Sequence, residues 1–471
     1  MFPHSNRTLL IASLATLATF LDTTILYVAF PDIAATFSDT GASELSWVLN
    51  AYTIVFAALL IPAGKVADRI GHRRVFLGAS ALFTVASMAC GLAPTAEVLI
   101  AFRVLQAAGA AALIPSSLAL VMHAFAHEQL PRAVAIWGVA GAVAGALGPT
   151  LGAAIVETLG WRWAFFINLP VGVFTIVAGR RSLHESSDPE TRIPSPVGVV
   201  LVAATAALLS YGVVGAEDIG WLDPWTLGVF AAGCIAGVVF VAHQRQSDAP
   251  VLNLELFRIP NFLWANLAML VFGTAFAALF LGSILFLTQV WGWSILSAGF
   301  GVAPGPMVVG LVAPRTGRLA AAIGQRPIVL VGGALFAACG LFRLTMLGPD
   351  ASYLVDYFPS MVLSGVGVGF VFPQLSSIVA QALPPNRRGV GGAALQAGRQ
   401  LGGTFGVALT IALVGAASTG GGLLDSYDRV WWLIVVGGLG TSALVLPTRT
   451  AVTATGVGAE PVGQPTVELP S

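Results

Sequence analysis

Long apolar segments, each close to the length that crosses a lipid bilayer, recur along this chain from its first residues almost to its last. A membrane-spanning helix needs about 20 consecutive, mostly apolar residues. Segments of this kind lie at 7–30, 46–64, 75–94, 97–122, 133–156, 163–180, 196–216, 225–243, 261–287, 297–314, 326–347, 355–380, 391–416 and 429–447. The sequence therefore predicts an all-α, polytopic membrane protein with fourteen transmembrane helices.

The scarcity of charged residues indicates the same class of protein. Hydrophobic residues make up 56% of the 471 residues and charged residues only 9%, whereas about 25% of the residues of an average soluble domain are charged. The formal net charge is zero, which argues against nucleic acid as a partner. The three cysteines are scattered among apolar segments and predict neither a disulfide framework nor a metal site. We expect membrane lipid around the protein and no bound metal.

The positions of Lys and Arg predict the orientation, because cytoplasmic loops of membrane proteins carry an excess of both. With a cytoplasmic N-terminus, seventeen of the 22 basic residues fall in cytoplasmic segments, and Arg162, Arg343 and Arg429 fall outside. Arg103 and Arg399 fall within predicted helices. We expect a multi-pass protein of the cytoplasmic (cell) membrane with both termini inside. The ends of each helix are called inner and outer according to this orientation.

An internal repeat divides the chain into two related parts. GKVADRIGHRRVFLGAS from residue 64 aligns without a gap with GRLAAAIGQRPIVLVGG from residue 317, and VLQAAGAAALIPSS from 104 aligns with VLSGVGVGFVFPQL from 362. Two related helical halves around a central site are the architecture of secondary transporters. The predicted domains are a six-helix half, a cytoplasmic linker with two inserted helices, a second six-helix half and a disordered cytoplasmic tail, at 1–180, 181–260, 261–450 and 451–471.

Five segments carry a resemblance to a known family: LDTTILYVAFP (21–31), GKVADRIGHRR (64–74), RVLQAAGAA (103–111), GAVAGALGPTLGA (141–153) and WRWAFFINLPVG (161–172). With them the chain resembles the major facilitator superfamily and, within it, the fourteen-helix branch of drug:proton antiporters. The resemblance covers nearly the whole chain. It implies efflux by alternating access, driven by the proton motive force without a cofactor, with a small molecule and protons as partners. We expect the protein to act as a monomer.

The loop between the second and third predicted helices combines glycines with charged residues. Two glycines permit a tight turn, and Asp68 lies among Lys65 and three arginines, which predicts a cytoplasmic ion-pair cluster. The resemblance makes this loop a conformational latch that pins one half against the other in the outward-facing state. A basic loop that only sets the orientation is the alternative. The predicted latch residues are Gly64, Asp68, Arg69, Gly71, Arg73 and Arg74.

Asp22 and Arg103 are charged residues inside predicted helices, where charges are costly and mark functional sites. Counted at 1.5 Å per residue, they lie ~12 Å and ~9 Å from the outer ends of their helices. The similar depth predicts an ion pair that offsets the desolvation of both groups. We predict that the pair couples transport to protons, with Asp22 as the proton carrier or the group that recognises a cation. A purely structural pair is the alternative.

Arg399 is the charged residue within a helix of the second half. In the repeat it aligns with Gly141, whereas Arg103 aligns with Met361, so the polar centre of the second half lies on a different helix. Arg399 could contact substrate or bind a backbone carbonyl at a helix break. The predicted substrate cavity consists of Asp22, Gln106, Gln396, Arg399 and Gln400.

The fifth predicted helix has small residues along one face, which permits close helix packing. Pro149 removes a backbone hydrogen bond and is expected to bend this helix. The resemblance identifies an antiporter motif, and ordinary small-residue packing is the alternative. The motif residues are Gly141, Gly145, Gly148, Pro149 and Gly152.

The sequence thus predicts proton-coupled efflux of amphipathic or cationic small molecules, such as drugs and antibiotics. A narrow exporter of one lipid or endogenous metabolite is the alternative within transport. The paired halves disfavour a channel or a receptor. An enzyme is not expected, because no His, Cys, Ser and Asp constellation gathers at one membrane interface.

Overall fold

The computed structural model describes residues 4–126, 129–188, 191–350, 352–384, 387–415 and 422–449. These residues form an all-helical protein, and none of them lies in a β-strand. The predicted tail at 451–471 lies outside the described residues.

Within the described residues, fourteen long helices follow one another along the chain. They are α1 (His4–Thr36), α2 (Trp47–Ile70), α3 (His72–Gly91), α4 (Ala96–Ala124), α5 (Leu130–Leu159), α6 (Asn168–Ser182), α7 (Pro196–Ile219), α8 (Pro224–Gln246), α9 (Pro260–Gln289), α10 (Pro304–Ile323), α11 (Gln325–Met346), α12 (Phe358–Ala382), α13 (Arg388–Gly415) and α14 (Leu423–Val445). Short helical segments precede five of them, at Ala42–Leu45, Trp163–Phe166, Leu254–Arg258, Ile295–Val302 and Tyr353–Tyr357.

Every predicted span overlaps one of these helices, but the number of membrane crossings is a separate matter. In the described part of the chain, 12 helices are long and apolar enough to cross a membrane, or 13 if the bent helix α5 counts as one span. Helix α13 is not among them, because it is rich in glycine and interrupts its apolar residues with Gln396, Arg399 and Gln400. The structure therefore supports a polytopic membrane protein with 12 to 13 candidate spans.

The repeat seen in the sequence reappears as repeated helix geometry. Gly71 ends α2 with a φ of 120°, and the aligned Gly324 ends α10 with a φ of 83°, a left-handed conformation that favours glycine. A Cβ atom added to Gly109 of α4 would lie 2.7 Å from the backbone nitrogen of Phe83, and one added to the aligned Gly367 of α12 would lie 2.8 Å from a backbone carbonyl oxygen of α11. Both halves thus use glycine for the same close helix crossing.

Helices α7 and α8 pack against each other, and α7 also packs against α2 and α13. The segments that flank this pair are bonded to the first half and to one another. Lys65 Nζ donates to the carbonyl of Pro250 at 3.1 Å, and the backbone N–H of Ser195 donates to the carbonyl of Ala249 at 3.3 Å. The inserted pair is therefore anchored at its inner end to α2.

Two hydrogen bonds between the halves lie toward the outer ends of the helices. Thr53 of α2 and Thr404 of α13 share a hydrogen bond of 2.6 Å between their hydroxyl oxygens. Glu157 at the outer end of α5 accepts a hydrogen bond of 3.3 Å from the backbone N–H of Leu296, in the segment that precedes α10. At these positions the halves touch directly.

The sequence placed Arg343 outside the membrane, and this was wrong. Arg343 lies in α11 and is 0% exposed. The helix continues to Met346, and the segment Tyr353–Tyr357 packs over its end together with α14. Because Arg343 lies near the outer end of the predicted span at 326–347, its charge alone did not distinguish it from a loop residue.

Candidate functional site

A buried ion pair joins α1 and α4 in the first half. Arg103 Nη1 donates to Asp22 Oδ2 at 2.6 Å, and the residues are only 1% and 2% exposed. Two side-chain amides complete the shell of the carboxylate: Gln106 Nε2 and Asn168 Nδ2 donate to Asp22 Oδ1 at 2.7 Å and 2.9 Å. The pairing predicted from depth is present, and the carboxylate accepts three hydrogen bonds from α4 and α6.

Arg103 has further partners besides the carboxylate. Its Nη1 also donates to Gln106 Oε1 at 2.7 Å, and its Nε donates to the carbonyl of Val48 at 3.1 Å. The guanidinium carbon lies 4.0 Å from the ring centroid of Tyr52, which adds a cation–π contact. The cation is therefore held by neutral acceptors and a ring as well as by Asp22.

Asn168 and Ser87, which were not predicted as site residues, extend the cluster. Asn168 Nδ2 donates to Ser87 Oγ at 3.0 Å, and Ser87 Oγ donates to the carbonyl of Phe165 at 2.8 Å. A space of about 10 Å³ adjoins Asn168 toward the inner ends of α1 and α4. This is close to the smallest volume that holds a water molecule. Asn168 lies within the motif at 161–172. Its polar amide inside an apolar segment is the sequence feature that could have identified it as a site residue.

A separate cavity of about 120 Å³ lies in the second half, between α9, α12 and α13. The structure places the predicted residues Gln396 and Arg399 in its wall and does not place Gln400 there. Asp22 and Gln106 belong to the enclosed cluster of the first half, so the structure divides the five predicted cavity residues between two places. The lining residues are Met269, Phe372, Ser376, Val379, Ala380, Arg388, Gly392, Leu395, Gln396 and Arg399.

The guanidinium of Arg399 lies over the ring of Phe372, with 4.6 Å between its carbon and the ring centroid. Within the described residues, the side chain of Arg399 donates to no side-chain acceptor and to no backbone carbonyl. Gln396 Nε2 in the same wall is buried and also has no hydrogen-bond partner among the residues described. The guanidinium of Arg399 and the amide of Gln396 are thus free to bind another molecule.

Arg343 forms a third cluster, which the sequence analysis did not find. Its Nε and Nη1 donate to the hydroxyls of Ser360 and Ser283 at 3.1 Å and 2.9 Å. The guanidinium carbon also lies 4.7 Å and 4.5 Å from the ring centroids of Tyr357 and Trp431. This arginine is satisfied by hydroxyl groups and rings instead of a carboxylate.

The repeat gives Arg343 a meaningful counterpart. The alignment from residue 317, continued without a gap, pairs Arg343 with Cys90, and Cys90 Sγ lies 3.7 Å from Gln106 Oε1. Met361, the counterpart of Arg103, has its Sδ 4.0 Å from Arg343 Nη2. The arginine and the sulfur-containing side chain have therefore exchanged helices between the two halves. Extending the repeat register would have paired Arg343 with Cys90 of the first half, next to the Asp22–Arg103 cluster.

The predicted cluster around Asp68 requires correction. Asp68 Oδ1 pairs with His72 Nε2 at 2.9 Å, whereas Arg73 and Arg74 have other partners. Glu185 of the linker accepts from the backbone N–H groups of Arg73 and Arg74 at 3.0 Å and 3.2 Å, and its Oε2 lies 3.7 Å from Arg74 Nε. The linker folds back onto this loop, because the start of α3 offers free N–H groups to a carboxylate.

The other predicted latch residues have ordinary positions. A Cβ atom added to Gly64 would lie 3.3 Å from Pro115, so α2 and α4 approach closely there. Arg69 is exposed at the inner end of α2. The ion pairs that the structure shows around this loop stay within the first half and its linker.

Three of the four motif glycines of α5 face α1. Cβ atoms added to Gly141 and Gly152 would lie 3.3 Å and 3.0 Å from side-chain atoms of Phe20 and Ile25, and one added to Gly148 would clash with Thr24, whereas Gly145 has nothing within 4 Å. Helix α5 bends by 47° between 136–145 and 147–159. Pro149 explains the position of this bend, because the proline ring clashes with the backbone carbonyl four residues earlier.

The first half also reaches the second half through this helix. A Cβ atom added to Gly299, in the segment before α10, would lie 2.6 Å from the carbonyl oxygen of Pro149. The backbones of the two halves thus come very close at the outer part of α5.

Comparisons with known proteins agree with this architecture. The family model described as Major Facilitator Superfamily matches residues 12–407. The cephamycin export protein CmcT of Amycolatopsis lactamdurans is 33% identical over 421 residues, which cover 88% of this chain and 86% of that protein. The methylenomycin A resistance protein of Streptomyces coelicolor is 30% identical over 439 residues, covering 92% and 91%.

Solved structures are similar in fold at low sequence identity. An auto-inhibited peptide transporter of the POT family superposes with a TM-score of 0.69 at 15% identity, covering 97% of this chain and 99% of that chain. A bacterial homologue of the human lysosomal transporter Spinster, in an inward-facing and unoccupied conformation, has a TM-score of 0.63 at 17% identity, covering 95% of each chain. These likenesses concern the fold alone.

Proposed function

Because this chain belongs to the Major Facilitator Superfamily, we propose that it exports amphipathic small molecules, drugs and antibiotics among them, in exchange for protons. Relatives at 30–33% identity are named as export and resistance proteins for cephamycin and methylenomycin A and as a multidrug resistance protein. The proposal includes fourteen membrane crossings with α13 as one of them, the domains predicted from the sequence, location in the cytoplasmic membrane with both termini inside, and action as a monomer.

The observation that carries the proton coupling is the shell around Asp22. A carboxylate this deeply buried is stable as an anion only beside a cation and hydrogen-bond donors. If Asp22 takes up a proton, Arg103 keeps Gln106 Oε1 and the carbonyl of Val48 as acceptors. Both the charged and the neutral carboxyl group therefore have partners, which is what a proton carrier requires.

The space beside Asn168 supports a route for the proton. It lies toward the inner ends of the helices and adjoins a residue that bonds Asp22 directly. A single water there would add one hydrogen-bonding partner to the cluster on its inner side. The direct contacts between the halves at the outer side fit alternating access with closure on that side.

The predicted preference for cations requires a carboxylate that is free to face the substrate. Arg103 neutralises Asp22 in this structure, so the proposal names amphipathic molecules without a sign of charge. The modest cavity of about 120 Å³ also favours a second candidate, export of one lipid or endogenous metabolite. A panel of dyes and antibiotics on cells that express the chain separates the two: resistance to chemically varied compounds supports broad export, and unchanged susceptibility supports the narrow exporter.

The test of proton coupling uses proteoliposomes under an imposed pH gradient. We expect Asp22→Asn to abolish accumulation of substrate against its gradient while downhill exchange continues. Asp32→Asn is the matched control, since Asp32 lies on the same helix but accepts from the backbone N–H of Trp161 at its outer end. Uphill transport by Asp22→Asn at the parent rate contradicts the proposal.

A further inference from the structure

Arg103, Arg343 and Arg399 are enclosed between helices, and they differ in what satisfies them. Arg103 has a carboxylate, and Arg343 has two hydroxyl groups and two rings. In the described part of the chain, the guanidinium of Arg399 lies over the ring of Phe372 and has no carboxylate or hydroxyl hydrogen-bonded to it. A guanidinium carries five N–H donors, and within the described residues Arg399 donates none of them to an acceptor. It is therefore the arginine available to a ligand.

The position of Arg399 on α13 explains how a ligand would reach it. Arg388, Gly392, Leu395, Gln396 and Arg399 all line the cavity. Their spacing of four, seven, eight and eleven residues from Arg388 places them on one face of the helix. Arg388 is exposed at the inner end, and Arg399 lies about 16 Å deeper at 1.5 Å per residue. Gly392 leaves room between them.

The charge of the cavity has one sign. The three helices that form it, α9, α12 and α13, contain no Asp or Glu anywhere in their sequences. An uncompensated cation at this depth is costly unless an anion joins it. The rest of the lining is mostly apolar, including Met269, Phe372 and Leu395. The cavity thus combines two cations and a free amide with an apolar wall.

We propose that this cavity binds an amphipathic organic monoanion as the exported substrate. Arg399 binds the carboxylate through its paired N–H groups, with Gln396 Nε2 as a further donor. The apolar body packs against Phe372, Met269 and Leu395, and Arg388 attracts the anion at the inner mouth. The inference rests on the proposed export function and specifies the class of substrate as anionic.

The test is equilibrium binding to the full chain in detergent, so that it does not depend on transport. The probes are radiolabelled 2-naphthoate, 2-naphthamide and 2-naphthylmethylammonium, which share a ring system and differ in charge. We expect naphthoate to bind the parent best. Arg399→Gln should weaken naphthoate binding roughly ten- to a hundred-fold, the effect of losing a charged hydrogen-bond pair. The amide should bind parent and variant alike.

Two further variants control for charge and folding. Arg399→Lys keeps the charge without the paired donors and should retain part of the affinity. Arg387→Gln removes a neighbouring exposed charge that does not line the cavity, and it should bind naphthoate like the parent. Only variants that elute as a single species with the parent's helical circular dichroism are compared.

Equal binding of naphthoate to the parent and to Arg399→Gln overturns the inference, and so does tighter binding of the ammonium probe. Displacement of naphthoate by phosphatidylglycerol but not by phosphatidylcholine assigns the cavity to a lipid headgroup and also overturns it. The proton-gradient assay on Asp22→Asn is independent of these measurements. Failure of the export proposal is therefore distinguishable from failure of the anion site.

Discussion

The two halves of this protein share a framework of helix crossings but differ in their buried charges. The crossing of Gly109 with Phe83 reappears as that of Gly367 with Phe336. In the first half the buried arginine is neutralised by Asp22, whereas Arg343 and Arg399 in the second half have no carboxylate partner among the described residues. The comparison indicates that packing is common to both halves, while our proposals assign proton exchange to the first half and substrate binding to the second.

The largest expected effect comes from breaking the charge pair of the first half. Arg103→Met leaves the carboxylate of Asp22 buried without a cation and should lower the free energy of unfolding by about 3–5 kcal/mol. Asp22→Leu combined with Arg103→Met should recover most of that loss, because a buried pair can be replaced by apolar residues at little cost. Reversible unfolding of the purified protein in detergent measures both. If the double variant is no more stable than Arg103→Met, the loss of stability in Arg103→Met does not come from the unpaired carboxylate of Asp22.

The shared framework predicts equal penalties in the two halves. Gly109→Ala and Gly367→Ala each push a Cβ atom against the backbone of the neighbouring helix, and each should lower the free energy of unfolding by about 1–3 kcal/mol. Gly310→Ala is the control, since nothing lies within 4 Å of a Cβ atom there. A clear penalty in one half only, in the same unfolding assay, would show that the crossings are not equivalent.

The second half should tolerate the loss of its buried arginine better than the first. Arg343→Met removes two charged hydrogen bonds, but Ser360 and Ser283 keep their own backbone acceptors. No carboxylate is left unpaired, so the free energy of unfolding should fall by only about 1–2 kcal/mol. A loss as large as that of Arg103→Met would contradict the contrast between the halves.

The smallest expected effect concerns the contact that joins the halves at the outer side. Glu157→Ala removes the acceptor for the N–H of Leu296 and should shift the balance between open and closed outer ends by roughly two- to ten-fold. This shift is measured as the distance between spin labels attached to Leu159→Cys and Phe300→Cys. The exposed Cys234 is replaced by Ser so that it is not labelled. Glu157→Gln keeps an acceptor oxygen and should resemble the parent. Identical distance distributions for Glu157→Ala and the parent would show that this contact does not control the opening of the outer ends.

The helices and the Asp22–Arg103 pair could be predicted because apolar length and depth along a helix are properties of local sequence. Asn168 and Ser87 could not, because one polar residue in an apolar segment does not reveal which face it occupies. Glu185 was missed since its partners are more than a hundred residues away, and such pairing depends on how the linker folds back. The sequence likewise does not reveal that Asp22 and Arg399 lie in two separate sites, because their separation depends on how the helices pack.

The anchoring of the inserted pair has a consequence for motion. The segments on either side of α7 and α8 are hydrogen-bonded to each other and to α2, whereas α7 meets α13 through helix packing. Packed helices slide past one another more readily than several hydrogen bonds break together. In a rocking cycle the inserted pair would therefore move with the first half, eight helices against six, so the two moving bodies are unequal in mass although the repeat is symmetric.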